Sequence, residues 1–190
     1  MIDPALLIRA YQTGLFPMSM EDGQIGWFSP DPRGIIPFDT FHVPARLARV
    51  IRQGRFAVVI DRSFEAVMRA CARRPGEGTW ISEEILESYV ALHRLGIAHS
   101  VETWRDGELV GGLYGVHLGG AFFGESMFHR ATDASKVALA ALVDRLIRNG
   151  FRLLDIQWVT PHLTQFGATE ISRRRYLAAL TDALLRDCRF

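Results

Sequence analysis

The stretch HSVETWRDGELVGGLYGVHLGGAFFGESMFHRATDASKVALAALVDRLIRNG (residues 99–150) decides the fold. It opens with three runs rich in β-branched and aromatic residues, at 99–104, 108–116 and 120–127. They are linked by Arg105-Asp106-Gly107 and Leu118-Gly119. Asp and Gly at such short links accept the positive φ of hairpin turns, so three antiparallel strands are expected in succession. Asp133 then opens a helix that runs to Asn149 and stops at Gly150. Its centre, Val137-Ala138-Leu139-Ala140-Ala141-Leu142-Val143, is apolar nearly all round, which puts this helix in the core.

The flanks extend the pattern. Upstream, 44–53 reads as a helix closed by Gly54, FAVVI (56–60) as a buried strand, and 61–72 as a helix capped by Asp61. Ser82-Glu83-Glu84 starts another helix, with acids in the first turn as the helix dipole favours, and Gly96 ends it. Downstream, 151–159 reads as a strand and 171–186 as the last helix. The order β-α-α-β-β-β-α-β-α implies an α+β unit over residues 42–190, an acetyltransferase-like (GNAT-type) mixed sheet flanked by helices.

Residues 1–41 read as a small N-terminal domain. Asp3-Pro4 is an N-cap and first-turn proline, and Gly14 a helix stop. GLFPMSMEDGQIGWFSPDPRGIIPF (14–38) follows, with four prolines that break long regular elements. Phe16, Trp27, Phe28, Ile35, Ile36 and Phe38 make it too apolar for a free linker.

The 190 residues are 48% apolar and 23% charged, a globular balance, and the net charge of +1 gives no overall basic field. No apolar run reaches the roughly 18–20 residues a membrane span needs. The N-terminal residues lack the pattern of a secretory leader, and the two cysteines are expected to be reduced thiols of a cytoplasmic protein. The six histidines do not fall at metal-ligand spacing.

Four features carry candidate chemistry. Glu125 lies in an apolar strand beside Phe122, Phe123, Met127 and Phe128, so its carboxylate is paired with an arginine, exposed at a strand end, or functional. Asp155 and Gln157 are two apart on a strand and project from one face. They can share a substrate amine, or Asp155 can cap a neighbouring helix. Trp27 and Phe28, with Trp80, are core plugs or stacking platforms. Arg46, Arg49 and Arg52 share a helix face, with Arg55 beyond and Arg73 and Arg74 in the next turn region. This strip is a solvated face or a phosphate contact. The junction HRATDASK (129–136) lacks the glycines of a coenzyme A pyrophosphate loop, and Asp133 repels phosphate.

Taken in order, YQTGLFPM (11–18), WFSPDPRGIIP (27–37), GTWI (78–81), LHRLGIAHSVETWRDGELVGGLYGV (92–116), GESMFHRATDASK (124–136) and LLDIQWVTPHLTQFGATEISRRRYL (153–177) resemble the leucyl/phenylalanyl-tRNA–protein transferases of bacteria. The resemblance implies transfer of leucine or phenylalanine, and less well methionine, from Leu-tRNA or Phe-tRNA to proteins with N-terminal Arg or Lys. The product is marked for degradation by the N-degron route, with no metal or coenzyme. It places the catalytic pair on Asp155 and Gln157, and acceptor binding on Glu125. The donor side-chain pocket falls on Trp80, Leu113, Phe122 and Leu139. The aromatic platform for the terminal adenosine falls on Trp27 and Phe28, the second being tryptophan in the family pattern. The reaction is aminolysis of an ester, in which the Gln157 amide oxygen accepts an N–H of the amine and the proton passes through water to Asp155, or to the ribose 2′-hydroxyl. A monomer is expected. The rival readings are a coenzyme-A-dependent N-acetyltransferase and a non-catalytic RNA- or degron-binding module.

Overall fold

A computed structural model describes residues 1–73 and 79–190. The first helix, α1 (Pro4–Gln12), is capped by Asp3, whose carboxylate accepts the Ala5 and Leu6 N–H groups. The chain leaves it at Gly14, in the left-handed region (φ 80°). A small hairpin follows, β1 (Phe16–Ser19) against β2 (Ile25–Phe28), which sets Pro17 opposite Trp27. The next strand, β3 (Arg33–Ile35), enters the large sheet.

The remaining elements are α2 (Ala45–Arg52), β4 (Ala57–Ile60), α3 (Phe64–Ala72), α4 (Glu83–Arg94), β5 (Ala98–Arg105), β6 (Glu108–Leu118), β7 (Ala121–His129), α5 (Ala134–Arg148), β8 (Leu153–Gln157), α6 (Pro161–Thr164), β9 (Thr169–Ile171) and α7 (Arg173–Leu184). Among the described residues the large sheet has seven strands in the order β4-β5-β6-β7-β8-β3-β9. Neighbours are antiparallel except β7 and β8. The crossover between those two parallel strands is α5, as a parallel pair requires. The α+β, acetyltransferase-like expectation is thus met.

Alternation along the strands builds a core on each face. Phe123 and Leu153 join one cluster with Leu7, Tyr89 and Tyr176, from α1, α4 and α7. Their neighbours Phe122 and Leu154 join the other, with Leu47 of α2 and Leu139, Leu142 and Leu146 of α5.

Three sequence expectations change. FAVVI forms an edge strand, with Ala57 and Val58 exposed, because no strand covers β4 on its outer side. A β-branched run suits a half-covered pleat as well as a buried one. Asp61 does not cap α3, whose N-cap is Ser63. The Asp61 carboxylate instead binds His99 Nδ1 and Ser100 N–H, both at 2.7 Å. The last helix starts at Arg173, since 169–171 pairs with β3 as β9.

Two departures from regular pairing shape the centre of the sheet. Tyr114 of β6 faces Ser126, while Gly115 faces Gly124, so Glu125 is the extra residue of a β-bulge. The β7–β8 pairing is limited to Ala121–Leu153, Phe122–Leu154 and Phe123–Asp155. Beyond that point the two strands no longer pair with each other, leaving a gap between 124–127 and 156–158.

Candidate active site

That gap is the mouth of a cavity of about 330 Å³. Its apolar wall includes Leu113, Met127, Leu139, Leu142, Leu154, Ile156 and Leu163. Phe16, Met18, Trp80 and Trp158 add larger side chains, and Glu125, Gln157, Thr160 and His162 supply polar groups. A volume of this size suits one apolar amino-acid side chain and the groups joined to it.

Glu125 is fixed from three elements. Tyr11 of α1 donates to its Oε1 at 2.7 Å, Tyr89 of α4 lies 3.5 Å from Oε2, and Gln157 Nε2 lies 3.3 Å from Oε1. The two tyrosine hydroxyls also bond to each other. Burial raises the Glu125 carboxyl to about 8; the Tyr11 bond opposes that shift and the Asp155 charge adds to it. Burial, followed by the Glu125 charge, pushes both tyrosines well above their ordinary value, so they act as donors.

Asp155 lies behind the cavity and is fully buried. Its Oδ1 accepts Arg33 Nε and the Gln157 backbone N–H, both at 2.9 Å. Its Oδ2 accepts Arg33 Nη2 and Tyr176 Oη, both at 2.7 Å. Arg33, 1% exposed, also donates to the Gly14 carbonyl, and its guanidinium packs against the rings of Phe16 and Tyr176. Four donors therefore saturate the Asp155 carboxylate. Gln157 sits in the left-handed region (φ 57°), which costs about 1–3 kcal/mol and persists where surroundings impose it. The Asp155 bond to its backbone N–H is such a constraint.

Of the residues singled out from sequence, Glu125, Gln157, Trp80, Leu113 and Leu139 line one cavity. Phe122 does not line it; fully buried, it packs behind Leu113 and Leu139 and against Phe190. Trp27 is exposed on the small hairpin, and Phe28 lines a separate hollow with Asp31, Pro32, Trp158 and Glu170. Arg46, Arg49, Arg52, Arg55 and Arg73 are exposed, and Arg46 comes within 3.9 Å of Asp133. Arg74 lies outside the described residues. At the start of α5 the Asp133 carboxylate pairs with Lys136 at 3.5 Å. The helix start at which an acetyltransferase would bind coenzyme pyrophosphate thus carries an ion-paired carboxylate.

Periodicity did not reveal Arg33, Tyr176, Tyr11 or Tyr89. Arg33 lies 122 residues from Asp155, and Tyr11 lies 114 from Glu125. The signal available was an arginine after Pro32 and a tyrosine after three arginines, both inside the family-like phrases.

The large sheet thus opens between β7 and β8 onto a cavity sized for one apolar side chain, with Glu125 and Gln157 on its wall. Residues 35–181 match the family described as leucyl/phenylalanyl-tRNA protein transferase, and residues 1–31 match its N-terminal domain. A leucyl/phenylalanyl-tRNA–protein transferase of Paramagnetospirillum magneticum is 57% identical, over 94% of this chain and 88% of its own. One from Gloeobacter violaceus is 55% identical, over 100% and 97%. A solved ribosomal-protein-alanine N-acetyltransferase of Brucella melitensis is 16% identical with a TM-score of 0.40, over 57% of this chain and 84% of that one. The chain belongs to the leucyl/phenylalanyl-tRNA protein transferase family. Among the described residues, no helix is long and apolar enough to cross a membrane.

Proposed function

We propose that this cytoplasmic enzyme, acting as a monomer, transfers leucine or phenylalanine from Leu-tRNA or Phe-tRNA to proteins with N-terminal Arg or Lys, marking them for degradation. The observation that carries the reading is the apolar cavity with Glu125 and Gln157 on its wall. Trp80, Leu113 and Leu139 enclose the donor side chain, and Phe122 supports them from behind. Size selects, at about 1–3 kcal/mol per methylene, so methionine is used less well.

The acceptor arrives as an α-ammonium of pKa about 7.7–8.0. Glu125 receives this positive end. Gln157 holds the attacking nitrogen through its side-chain amide, and Asp155 positions Gln157. The enzyme's main task is alignment of ester and amine. Trp27 and Phe28 are assigned to the terminal adenosine, and the arginine strip Arg46, Arg49, Arg52, Arg55, Arg73 and Arg74 to tRNA phosphates. Residues 1–41 and 42–190 act as two units, the first lending β3 to the sheet of the second.

The test is transfer of labelled leucine from Leu-tRNA to a peptide beginning with Arg, beside one beginning with Asp. Label on the first alone supports the reading; label on neither, together with tight binding of acetyl-CoA, supports the acetyltransferase instead.

A further inference from the structure

We propose that Glu125 takes the proton from the attacking α-amine, with the Tyr11–Tyr89 pair and the Gln157 amide holding its carboxylate on the cavity wall. This inference rests on the transferase reading above.

It follows first from what Asp155 lacks. Its two oxygens receive four hydrogen bonds, its surface is fully buried, and it does not line the cavity. An incoming amine finds no lone pair there. Gln157 touches the cavity, but an amide is hardly basic. Among the described residues lining the cavity, Glu125 is the one carboxylate. His162 is the other side chain on the wall that titrates near neutral pH. Its Nε2 is sealed from solvent, its ring packs edge-on against Phe166, and burial lowers its pKa.

Placement supports the same residue. The bulge puts Glu125 out of the β6 pairing, at the point where β7 and β8 part. The groups that face it are Tyr11 from α1, Tyr89 from α4 and Gln157 from β8; the Arg33 and Asp155 charges from β3 and β8 act at longer range. Tyr11 donates to the carboxylate and so favours it, with Tyr89 bonded to the Tyr11 hydroxyl, while burial favours the acid. A carboxyl raised to about 8 matches an α-amine of pKa about 7.7–8.0, so a proton passes between them at little cost.

The step balances. The Glu125 carboxylate removes one proton from the α-ammonium. The neutral nitrogen bonds to the ester carbonyl carbon, and the bond from that carbon to the ribose oxygen breaks. Glu125 gives its proton to the departing oxygen, takes a second from the nitrogen, and releases that one to solvent with the product.

The experiment is single-turnover leucine transfer to an Arg-initiated peptide at saturating acceptor, for wild type and Glu125→Gln. General acid–base catalysis is worth about 10²–10⁴-fold, so the variant is expected to be at least a hundredfold slower at pH 7. Leu-tRNA affinity stays within threefold, acceptor KM rises because Glu125 also receives the α-ammonium, and part of the loss in rate is recovered at pH 9, where the amine is neutral without help. A rate within threefold of wild type at pH 7, a defect confined to acceptor KM, or an equal loss at pH 7 and pH 9 overturns the proposal. So does transfer of the pH-dependent defect to His162→Phe. If Glu125→Gln fails to bind Leu-tRNA, Glu125→Ala, which also lacks a carboxylate, is read against the same criteria. Wild-type transfer in the same assay keeps the transferase reading separate.

Discussion

Arg33 clasps Asp155 through two parallel hydrogen bonds, Nε to Oδ1 at 2.9 Å and Nη2 to Oδ2 at 2.7 Å, with both side chains shielded from solvent. Breaking a buried pair from one side strands a charge, at about 3–5 kcal/mol. Arg33→Met is therefore expected to lose that much stability in urea unfolding. The double variant Arg33→Met/Asp155→Leu removes both charges and is expected to regain most of it. Transfer by the double variant stays low, because the Gln157 N–H has no acceptor there. Normal transfer would show that Asp155 has no positioning role.

Glu125 predicts a pH-dependent stability. Its carboxyl is raised from 4.5 to about 8, so between those values the folded chain holds a proton that the unfolded chain has released. Stability from this group is then greatest below about 4.5 and declines as pH rises to about 8. Glu125→Gln, which cannot ionise, is expected to raise the melting temperature more at pH 9 than at pH 5. An equal shift at both pH values would contradict the raised carboxyl.

Donor choice separates residues on the cavity wall from those behind it. Leu113 lines the cavity, so Leu113→Phe is expected to lower phenylalanine transfer relative to leucine by about tenfold or more. Phe122 is fully buried outside the lining, so Phe122→Ala is expected to cost about 3–5 kcal/mol in stability. Competition between Leu-tRNA and Phe-tRNA, read beside unfolding curves, checks both.

The arginine strip predicts a salt dependence. Reversing Arg46, Arg49 and Arg52 to Glu is expected to weaken tRNA binding. It should also flatten the slope of log affinity against log salt by about 0.7–0.9 for each phosphate that is no longer neutralised. An unchanged slope would make the strip a solvated face.

The legible part of this protein was local. Asp106-Gly107 and Gly119 announced the two hairpins, and the apolar run from Val137 announced the crossover helix. Those signals sit within a few residues of the structure they specify. What was hidden depends on distant partners. The β3 strand is only three residues long, and it fits because Gly34 has no side chain: a Cβ there would meet the Trp158 carbonyl carbon at 2.7 Å. No periodicity foretells that approach. Glu125 stood out as a carboxylate among phenylalanines, yet its partners proved to be Tyr11, Tyr89 and Gln157, from three separate elements. Phe122 and Leu113 share one face of the sheet, and only their places along it set Leu113 on the cavity wall and Phe122 outside it.

Leucine transfer itself can be read by tandem mass spectrometry of an Arg-initiated peptide incubated with Leu-tRNA and the enzyme. A single leucyl residue on the α-amine, absent when that amine is acetylated beforehand, is the predicted result. An unmodified peptide, or leucine attached elsewhere than the α-amine, would contradict it.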